Sequence, residues 1–380
     1  MSTYNDASLV FYPSGYKASK AYSLKPTDGS GDLDFTRAST ATRVNEQGLI
    51  ENAFVLGSEL VVNGNFATDS DWVKASGWTI SGGSANTDGT FAYAIYQNAV
   101  TTIGKKYKYS FEILNSAGGV IDGRFRNRNG GSILNFSSEG TYSGTFVADG
   151  LEVNFITLSL NTTSWSIDNV SIKEVITNNV PRIDYTTGSP ALLLEPQRTN
   201  LLLQSNNFTT SWSIGANVAL TANFATSPDG TTNASRLLTS GTAQNVFQTG
   251  VATVSGSVYT VSIYAKNTIA GTSQKLKFGS FVNGYSQYTL TDEWVRYTHT
   301  FTSTATSQII GITSPSPAEN FDILTYQFQC ELGSYATSAI PTTTTAVTRV
   351  ADGLSVSSLF SKGIVGVNGS LFIDINTANI

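Results

Sequence analysis

The sequence predicts an all-β chain made of two jelly-roll β-sandwich modules in tandem, joined by ordered connectors. The composition favours strands and turns: 34 Gly, 20 Phe and 17 Tyr stand against only 13% charged residues. Aromatic side chains suit pleated surfaces, and Gly supplies turn conformations. Apolar and polar residues alternate in stretches such as 106–114, which is the period of a half-buried strand. A long internal repeat indicates that these strands form two related modules.

The repeat sets the module boundaries. Gln97 and Gln248 occupy matching positions 151 residues apart (248 − 97). Four pairs of segments match in the same order: VVNGNFATDSDW (61–72) with LLQSNNFTTSW (202–212), IYQNAV (95–100) with VFQTGV (246–251), GKKYKYSFEI (104–113) with GSVYTVSIYA (256–265), and SWSIDNVSIKEV (164–175) with NFDILTYQFQCE (320–331). We therefore place module one at 57–176 and module two at 206–334, each long enough for the strands of a sandwich.

The remaining segments are predicted to be connectors. Residues 1–56 form an N-terminal attachment and connector segment, and 177–205 join the modules. Residues 335–380 begin as a Thr- and Ser-rich linker and end, from 366 onward, as the first strand of a further β domain. The apolar run 191–194 is expected to be buried. Surface ion pairs of the second connector are expected among Arg182, Asp184, Glu195 and Arg198.

Charge and apolar patterning exclude several partners. The net charge of −5 and a pI near 5.0 argue against nucleic acid, which needs clustered Lys and Arg. No apolar run is long enough to enter a membrane, and the first residues lack the pattern of a signal peptide. The single Cys330 cannot form an internal disulfide. Assembly in a cytoplasm followed by release as part of a particle fits all of these features.

Catalytic constellations are missing from the sequence, and we expect no enzymatic activity. The only histidine is His299, in a strand-like stretch among Thr residues, where a solvent-facing position is expected. The sequence has no GxSxG, HExxH or CxxC motif. A glycosidase needs only two carboxylates. The candidate glycosidase carboxylates of module one lie among Gly, Ser and Asn, where acidic residues are expected to form turns. They are Asp69, Asp71, Asp88 and Asp122.

Aromatic, amide and arginine side chains in loop-like or edge positions are candidates for sugar binding, because aromatic faces stack on sugar rings and polar groups bond hydroxyls. In module one, the run RFRNRN places alternate arginines on one face of a strand. The candidates are Trp72, Tyr93, Tyr96, Gln97, Arg124, Arg126 and Arg128 in module one, with Trp212, Phe247, Gln248, Tyr285 and Trp294 in module two. A core position is the competing interpretation for the tryptophans, but Trp72 follows Asp-Ser-Asp, which favours exposure.

Three stretches that lie mostly outside the modules resemble bacteriophage fibre and tail or head appendage proteins. They are TDGSGDLDFTRASTATRVNEQGLIE (27–51), NVPRIDYTTGSPALLLEPQRTNLLLQSNNF (179–208) and ELGSYATSAIPTTTTAVTRVAD (331–352). The modules resemble the galactose-binding-like carbohydrate-binding modules of such proteins. In many of those proteins GLIE runs almost directly into NVPRIDY, which implies that module one is an insertion between Glu51 and Asn179.

The resemblance implies a virion structural protein of a fibre or appendage that is assembled in the host cytoplasm, lies on the virion surface and attaches to a host-surface polysaccharide or glycan. Other virion proteins and further copies of the chain, in a trimer for example, are the implied partners. It also implies a structural calcium ion held by Asn63, Asn65 and Asp168, and another by Asn207 and Asp322, although Ala67 stands where relatives often have an acidic ligand. Two alternatives remain: a purely structural spacer or oligomerisation component, and a secreted bacterial glycan-binding adhesin.

Overall fold

The structure, a computed structural model, divides the chain into two compact units. One unit is Phe54–Ile176, and the other combines Met1–Ala53 with Thr177–Ile380. The structure describes residues 3–89, 94–114, 120–127, 132–158, 164–208, 210–241, 244–316, 319–359 and 361–364. Within these ranges there is one short helix, α1 (Thr3–Asp6), and no helix is long and apolar enough to cross a membrane. The described chain is otherwise strands and turns.

The first 53 residues contribute five strands. Their bounds are β1 (Val10–Lys17), β2 (Lys20–Lys25), β3 (Leu33–Thr36), β4 (Thr42–Val44) and β5 (Ile50–Asn52). The strands β1, β2 and β3 lie side by side and antiparallel, while β4 and β5 form a separate pair.

Module one is a sandwich of two antiparallel sheets. Its strands are β6 (Val55–Glu59), β7 (Val73–Lys74), β8 (Trp78–Ser81), β9 (Ser84–Thr87), β10 (Ala94–Gln97), β11 (Lys106–Leu114), β12 (Gly123–Asn127), β13 (Ser132–Phe136), β14 (Gly140–Val147), β15 (Val153–Thr157) and β16 (Trp165–Ile176). One sheet has the order β13-β12-β15-β10-β7, and the other has the order β14-β11-β16-β9-β8 with β6 also beside β16. Alternating side chains such as Phe111, Phe125, Phe155 and Trp165 fill the space between the sheets.

The rest of the second unit contains module two and the connectors. Its strands are β17 (Ile183–Asp184), β18 (Ala191–Leu192), β19 (Arg198–Asn200), β20 (Ser213–Ile214), β21 (Val218–Thr226), β22 (Thr232–Thr239), β23 (Val246–Ala252), β24 (Val258–Asn267), β25 (Lys275–Ser280), β26 (Gly284–Thr289), β27 (Val295–Thr302), β28 (Ser307–Thr313), β29 (Asp322–Leu332), β30 (Val347–Arg349) and β31 (Gly353–Ser355). The sandwich consists of sheets β20-β23-β28-β25-β26 and β21-β22-β29-β24-β27, while β31 joins β1-β2-β3 as a fourth strand.

The two modules repeat the same local geometry. In module one the pairing of β11 with β16 shifts register between Ser110 and Glu112, and in module two the pairing of β24 with β29 shifts between Ser262 and Tyr264. The Tyr107 hydroxyl accepts a hydrogen bond from a backbone N–H five residues upstream at 2.8 Å, and the Tyr259 hydroxyl does the same at 2.9 Å. The prediction of an all-β chain with two β-sandwich modules is confirmed.

A buried ion-pair network ties the connectors of the second unit together. The Arg37 and Arg182 guanidinium groups both contact the Asp352 carboxylate, Arg37 at 2.9 Å. Arg182 and Arg349 share the Glu195 carboxylate, at 2.6 and 2.8 Å. All five side chains are at most 9% exposed. The predicted pairing of Arg182 with Glu195 is therefore present, but it is buried rather than on the surface.

Other parts of the connectors differ from expectation. The Asp184 carboxylate accepts hydrogen bonds from backbone N–H groups instead of pairing with an arginine. In the run 191–194, Ala191 and Leu194 are exposed, because only the middle of the run faces the protein. The segment after 334 was expected to be a linker, yet Thr337 and Ile340 are buried and β30 pairs with β19. The strand predicted from 366 onward lies outside the described residues.

Candidate functional site

Two of the three tryptophans proposed as ligand contacts, Trp72 and Trp212, are core residues. Trp72 is 6% exposed and Trp212 is 8% exposed. Each indole lies against a phenylalanine, Phe66 or Phe208, and donates its Nε1 hydrogen to a backbone carbonyl, at 3.1 Å from Trp72 and 2.8 Å from Trp212. The expectation that Trp72 is exposed was wrong, because the chain turns after Asp71 and buries the ring with its polar edge satisfied.

The two matching glutamines are also structural. The Gln97 amide accepts from the Val62 N–H at 3.0 Å and donates to the Val62 carbonyl at 2.9 Å. The Gln248 amide makes the same pair of bonds with Leu203, at 3.0 and 2.6 Å. Each glutamine is at most 7% exposed and holds the segment that leads into its own module. Gln97 and Gln248 therefore have no free donor or acceptor edge toward solvent.

Three of the predicted residues do lie together on the outer face of a sheet. Tyr96 on β10 is paired with Asn154 on β15, and Asn154 is paired with Arg126 on β12. Directly paired residues share a face. Arg124, two residues before Arg126, is on the same side, while Phe125 between them enters the core. We call Tyr96, Arg124, Arg126 and Asn154 the module-one face. The predicted Tyr93 and Arg128 lie outside the described residues.

Hydrogen bonds fix the arginines of the module-one face. Arg126 donates its Nε hydrogen to Asn154 Oδ1 at 2.7 Å, and Asn154 donates to Glu152 Oε1 at 2.9 Å. Arg124 donates its Nε hydrogen to Asn135 Oδ1 at 3.2 Å. These bonds orient each guanidinium through its Nε hydrogen. No carboxylate of the described chain lies within ion-pair distance of Arg124 or Arg126, so the terminal Nη groups are left for other partners.

The corresponding sheet of module two presents aromatic rings on its outer surface. Phe247, Phe281 and Tyr285 form a row with ring centroids 5.4 and 5.3 Å apart, and all three are half-buried and outside the core of the module. Phe247 lies on β23 at the position of Tyr96 in the repeat and is paired with Gly311. We call Phe247, Phe281, Tyr285 and Gly311 the module-two face.

Glycine is required beneath this row. A Cβ at Gly311 would stand 2.5 Å from the Cβ of Phe247, so any other residue would displace the ring. Lys277 lies over the Tyr285 ring at 5.4 Å, and partial burial raises the pKa of the Tyr285 hydroxyl. Sequence reasoning proposed Phe247 and Tyr285 but missed Phe281, which follows the end of β25, where strand alternation no longer applies.

Several of the residues implied to hold calcium are bonded to other protein groups. Asp322 makes a two-pronged ion pair with Arg236, at 2.8 and 2.6 Å, which lowers the pKa of the carboxyl and occupies both oxygens. The Asn63 amide is bonded to backbone groups of the turn at Thr68 and Ser70. Asn65 is exposed, while Asp168 lies on β16 and Asn207 is half-buried in a turn. No group of three acidic, His or Cys side chains suited to a metal exists among the described residues.

His299 makes the one serine–histidine contact that resembles part of a catalytic arrangement. Its Nδ1 lies 2.9 Å from the Ser286 hydroxyl. Burial lowers the pKa of the imidazole, and its Nε2 has no hydrogen-bond partner among the described residues. A catalytic base of this type needs a carboxylate or amide to orient it. His299, expected to face solvent, is instead half-buried where β26 approaches β27.

Comparison with known proteins gives distant structural similarities only. No family model and no curated protein matches the sequence. The tandem CBM22 domain of Paenibacillus barcinonensis Xyn10C is 12% identical, with a TM-score of 0.29, over 73% of this chain and 98% of that one. The tandem CBM51 modules of the family 98 glycoside hydrolase from Streptococcus pneumoniae SP3-BS71 are 9% identical, with a TM-score of 0.23, over 80% of this chain and 100% of that one.

A third similarity is to Paenibacillus xanthan lyase, 12% identical with a TM-score of 0.24, over 76% of this chain and 26% of that one. Similarities with such low TM-scores carry no argument about function. None of the three proteins is described as a phage protein. The resemblance of the connectors to phage appendage proteins stays a prediction.

Proposed function

We propose that the chain is a non-enzymatic glycan-binding protein that uses the outer faces of its two modules, and that it serves as an appendage component on a virion surface. One observation carries the glycan-binding part: Tyr96 and Phe247 occupy the same position of the repeat, and each projects from the corresponding sheet of its own module, outside the core. Each module thus has an aromatic ring at this position that does not belong to its core.

An aromatic ring on an outer sheet face suits sugar binding. The apolar face of a sugar ring can cover the aromatic face, and nearby amides and guanidinium groups can bond the hydroxyls. The module-one face provides one ring with two arginines, and the module-two face provides three rings. Rings left half-exposed on a sheet stabilise the fold less than buried ones, so a ligand gives a reason for their presence.

The connectors support the virion part of the proposal. Arg37, Arg182, Glu195, Arg349 and Asp352 all lie in the stretches that resemble phage appendage proteins, and together they form the buried network. The resembling stretches would then be the scaffold that presents both modules. Detection of the chain in purified phage particles by mass spectrometry is expected, and its absence from particles would contradict the virion assignment.

Self-association is a second candidate function, favoured by the exposed apolar side chain of Leu194, which is 47% exposed. An appendage made of several copies would bury this residue between chains. Analytical ultracentrifugation is expected to show an oligomer that dissociates in the Leu194→Asp variant. A monomer at all concentrations would contradict this candidate.

Binding is tested on the full chain with surface glycans of candidate host bacteria. The variants Tyr96→Ala and Phe247→Ala each remove one ring without opening a core, and we expect each to weaken binding through its own module by about tenfold. Tyr4→Ala is the matched control, because Tyr4 is 49% exposed and far from either face in the sequence. Unchanged affinity in the variant that carries both substitutions would contradict the proposal.

A further inference from the structure

Two arginines lie side by side on the module-one face without acidic partners. Arg124 and Arg126 are separated by one residue of β12, so their Cα atoms are roughly 7 Å apart. Within the part of the chain that the structure describes, each uses only its Nε hydrogen in a hydrogen bond, toward Asn135 or Asn154. Like charges at this spacing repel each other, and no described carboxylate within ion-pair distance offsets the repulsion. Even with the Glu152 carboxylate that is bonded to Asn154 counted, the two guanidinium groups leave a local excess of positive charge in a chain whose net charge is −5.

We infer that the module-one face binds an acidic glycan, whose sugars carry carboxylate or sulfate groups, whereas the module-two face binds a neutral sugar surface. The inference rests on the proposed function and names the ligand class of each face. Guanidinium groups recognise planar carboxylates and sulfates through paired hydrogen bonds. The free Nη groups of Arg124 and Arg126 are the donors for such bonds.

The distance between Tyr96 and Arg126 fits a glycan in which one sugar stacks on Tyr96 and the neighbouring sugar carries the charge. Tyr96 and Arg126 stand in one cross-strand row with Asn154 between them. Neighbouring strands lie roughly 4.8 Å apart, which puts Tyr96 about 10 Å from Arg126 along the row. A sugar stacked on Tyr96 would direct an acidic group, or the next sugar of the chain, toward the guanidinium groups. Asn154 is 1% exposed, so it supports Arg126 rather than competing for ligand.

Module two has only one of the two positive charges at the equivalent positions, because Lys277 stands where module one has Arg124. Where module one pairs Arg126 with Asn154, module two pairs Gly279 with Gly311. The one lysine beside its face, Lys277, lies over the Tyr285 ring. Lys275 on the same strand is paired with Glu319 at 2.6 Å. The module-two face is therefore a row of three aromatic rings with a single cation held over one of them, which suits the apolar side of a neutral sugar.

The experiment measures binding of the full chain to an array of uronate-containing, sulfated and neutral glycans. The Phe247→Ala variant serves as the background, so that module one is observed with the module-two face weakened. We expect the Phe247→Ala variant to bind acidic glycans as the unmodified chain does. In the same background, Arg124→Gln with Arg126→Gln is expected to lower affinity for them by about tenfold or more. Rising salt is expected to weaken the same binding.

The matched control removes two positive charges from the opposite sheet. Lys106→Gln with Lys108→Gln changes the net charge by the same amount, on exposed positions of β11. We expect this variant to bind acidic glycans as the background does. Loss of binding in the lysine variant as large as in the arginine variant, or equal binding of an oligonucleotide of matched charge, would show mere charge attraction and overturn the inference.

The remaining outcomes separate the two proposals. If the Phe247→Ala variant binds neutral glycans but not acidic ones, the assignment of acidic glycans to the module-one face is overturned. The proposal that the chain binds glycans would still stand. Failure of the unmodified chain to bind any glycan of the array would contradict the proposed function itself. In the otherwise unmodified chain, the arginine variant is expected to keep its affinity for neutral glycans, because Phe247, Phe281 and Tyr285 are untouched.

Discussion

Gln97 and Gln248 each bond to both backbone groups of one residue in the segment that leads into their module. Their identity in the repeat therefore reflects a shared fold rather than a shared ligand. The same holds for Trp72 and Trp212, whose indoles donate to backbone carbonyls of the same segments. The residues that differ between the modules, such as Asn154 and Gly311, are the ones that give each face its own chemistry.

The first prediction concerns Gln97. Gln97→Leu leaves the Val62 N–H and carbonyl without their partner, and a buried polar group without a hydrogen bond costs about 1–3 kcal/mol. We expect a lower melting temperature for module one with unchanged glycan preference. Differential scanning calorimetry and the glycan array measure the two effects. Gln47→Leu, at an exposed turn position, is the control and is expected to melt as the unmodified chain does. Lost binding at unchanged stability would instead make Gln97 a ligand contact.

Strand alternation could have placed these residues from the sequence. Ile95 enters the core, so Gln97, two residues later, must face the same way, and Tyr96 between them must face outward. This pattern separates Tyr96 from Gln97 without a structure. Trp72 could not be placed in the same way, because it lies in a turn, and its burial depends on contacts with Phe66 and the Asn63 carbonyl.

Among the connectors, the buried network joins elements that are far apart in sequence. Arg37 and Asp352 are 315 residues apart, and Asp352 also contacts Arg182 from the second connector. Composition and alternation predicted the strands and the two sandwiches, because these follow from local pattern. The meeting of Arg37 with Asp352 could not be predicted in that way, since local pattern carries no information on which distant segments pack together.

Glu195 makes this network sensitive to acid. Burial alone would raise the pKa of its carboxyl, but Arg182, Arg349 and hydrogen bonds from Ser338 bring the pKa below the ordinary value of 4.5. A carboxyl with a lowered folded pKa stabilises the fold above its ordinary pKa, and that contribution is lost as the pH falls through the folded pKa. We expect the unit formed by 1–53 and 177–380 to lose stability as the pH drops below about 4.5.

Glu195→Gln tests this sensitivity. Removing one member of a buried ion pair costs about 3–5 kcal/mol, so the variant should unfold at lower urea concentration at neutral pH. The difference from the unmodified chain should shrink in acid, because protonation of Glu195 then leaves position 195 neutral in both proteins. Glu51→Gln is the control: its pair with Arg43 is partly exposed and is worth about 0–1 kcal/mol. A difference that is the same at all pH values would contradict the role assigned to Glu195.

The whole molecule has one continuous unit and one interrupted unit. Residues 54–176 interrupt the second unit, which resumes at Thr177. The ends of module one meet within its own sheet, because Val55 on β6 is paired with Ile176 on β16. Ala53, just before the interruption, donates its N–H to the Ala41 carbonyl at 2.8 Å, within the second unit.

We predict that a chain lacking 54–176, with Ala53 joined to Thr177 by a short Gly-Ser linker, folds and keeps the melting transition of the second unit. It should lose binding of acidic glycans and keep binding of neutral ones. Calorimetry and the glycan array measure both. An aggregated or unfolded product would contradict the independence of the second unit, and retained acidic binding would contradict the assignment of that ligand to module one.

The pairing of Val55 with Ile176 has a consequence for how such a protein can change over time. A recombination event that exchanges the coding sequence of module one would alter only two adjacent junctions and would leave the buried network of Arg182, Glu195 and Asp352 intact. Under the proposed virion role, a phage could then acquire a new receptor preference in one step by exchanging this module with another lineage, and the connectors would stay the same.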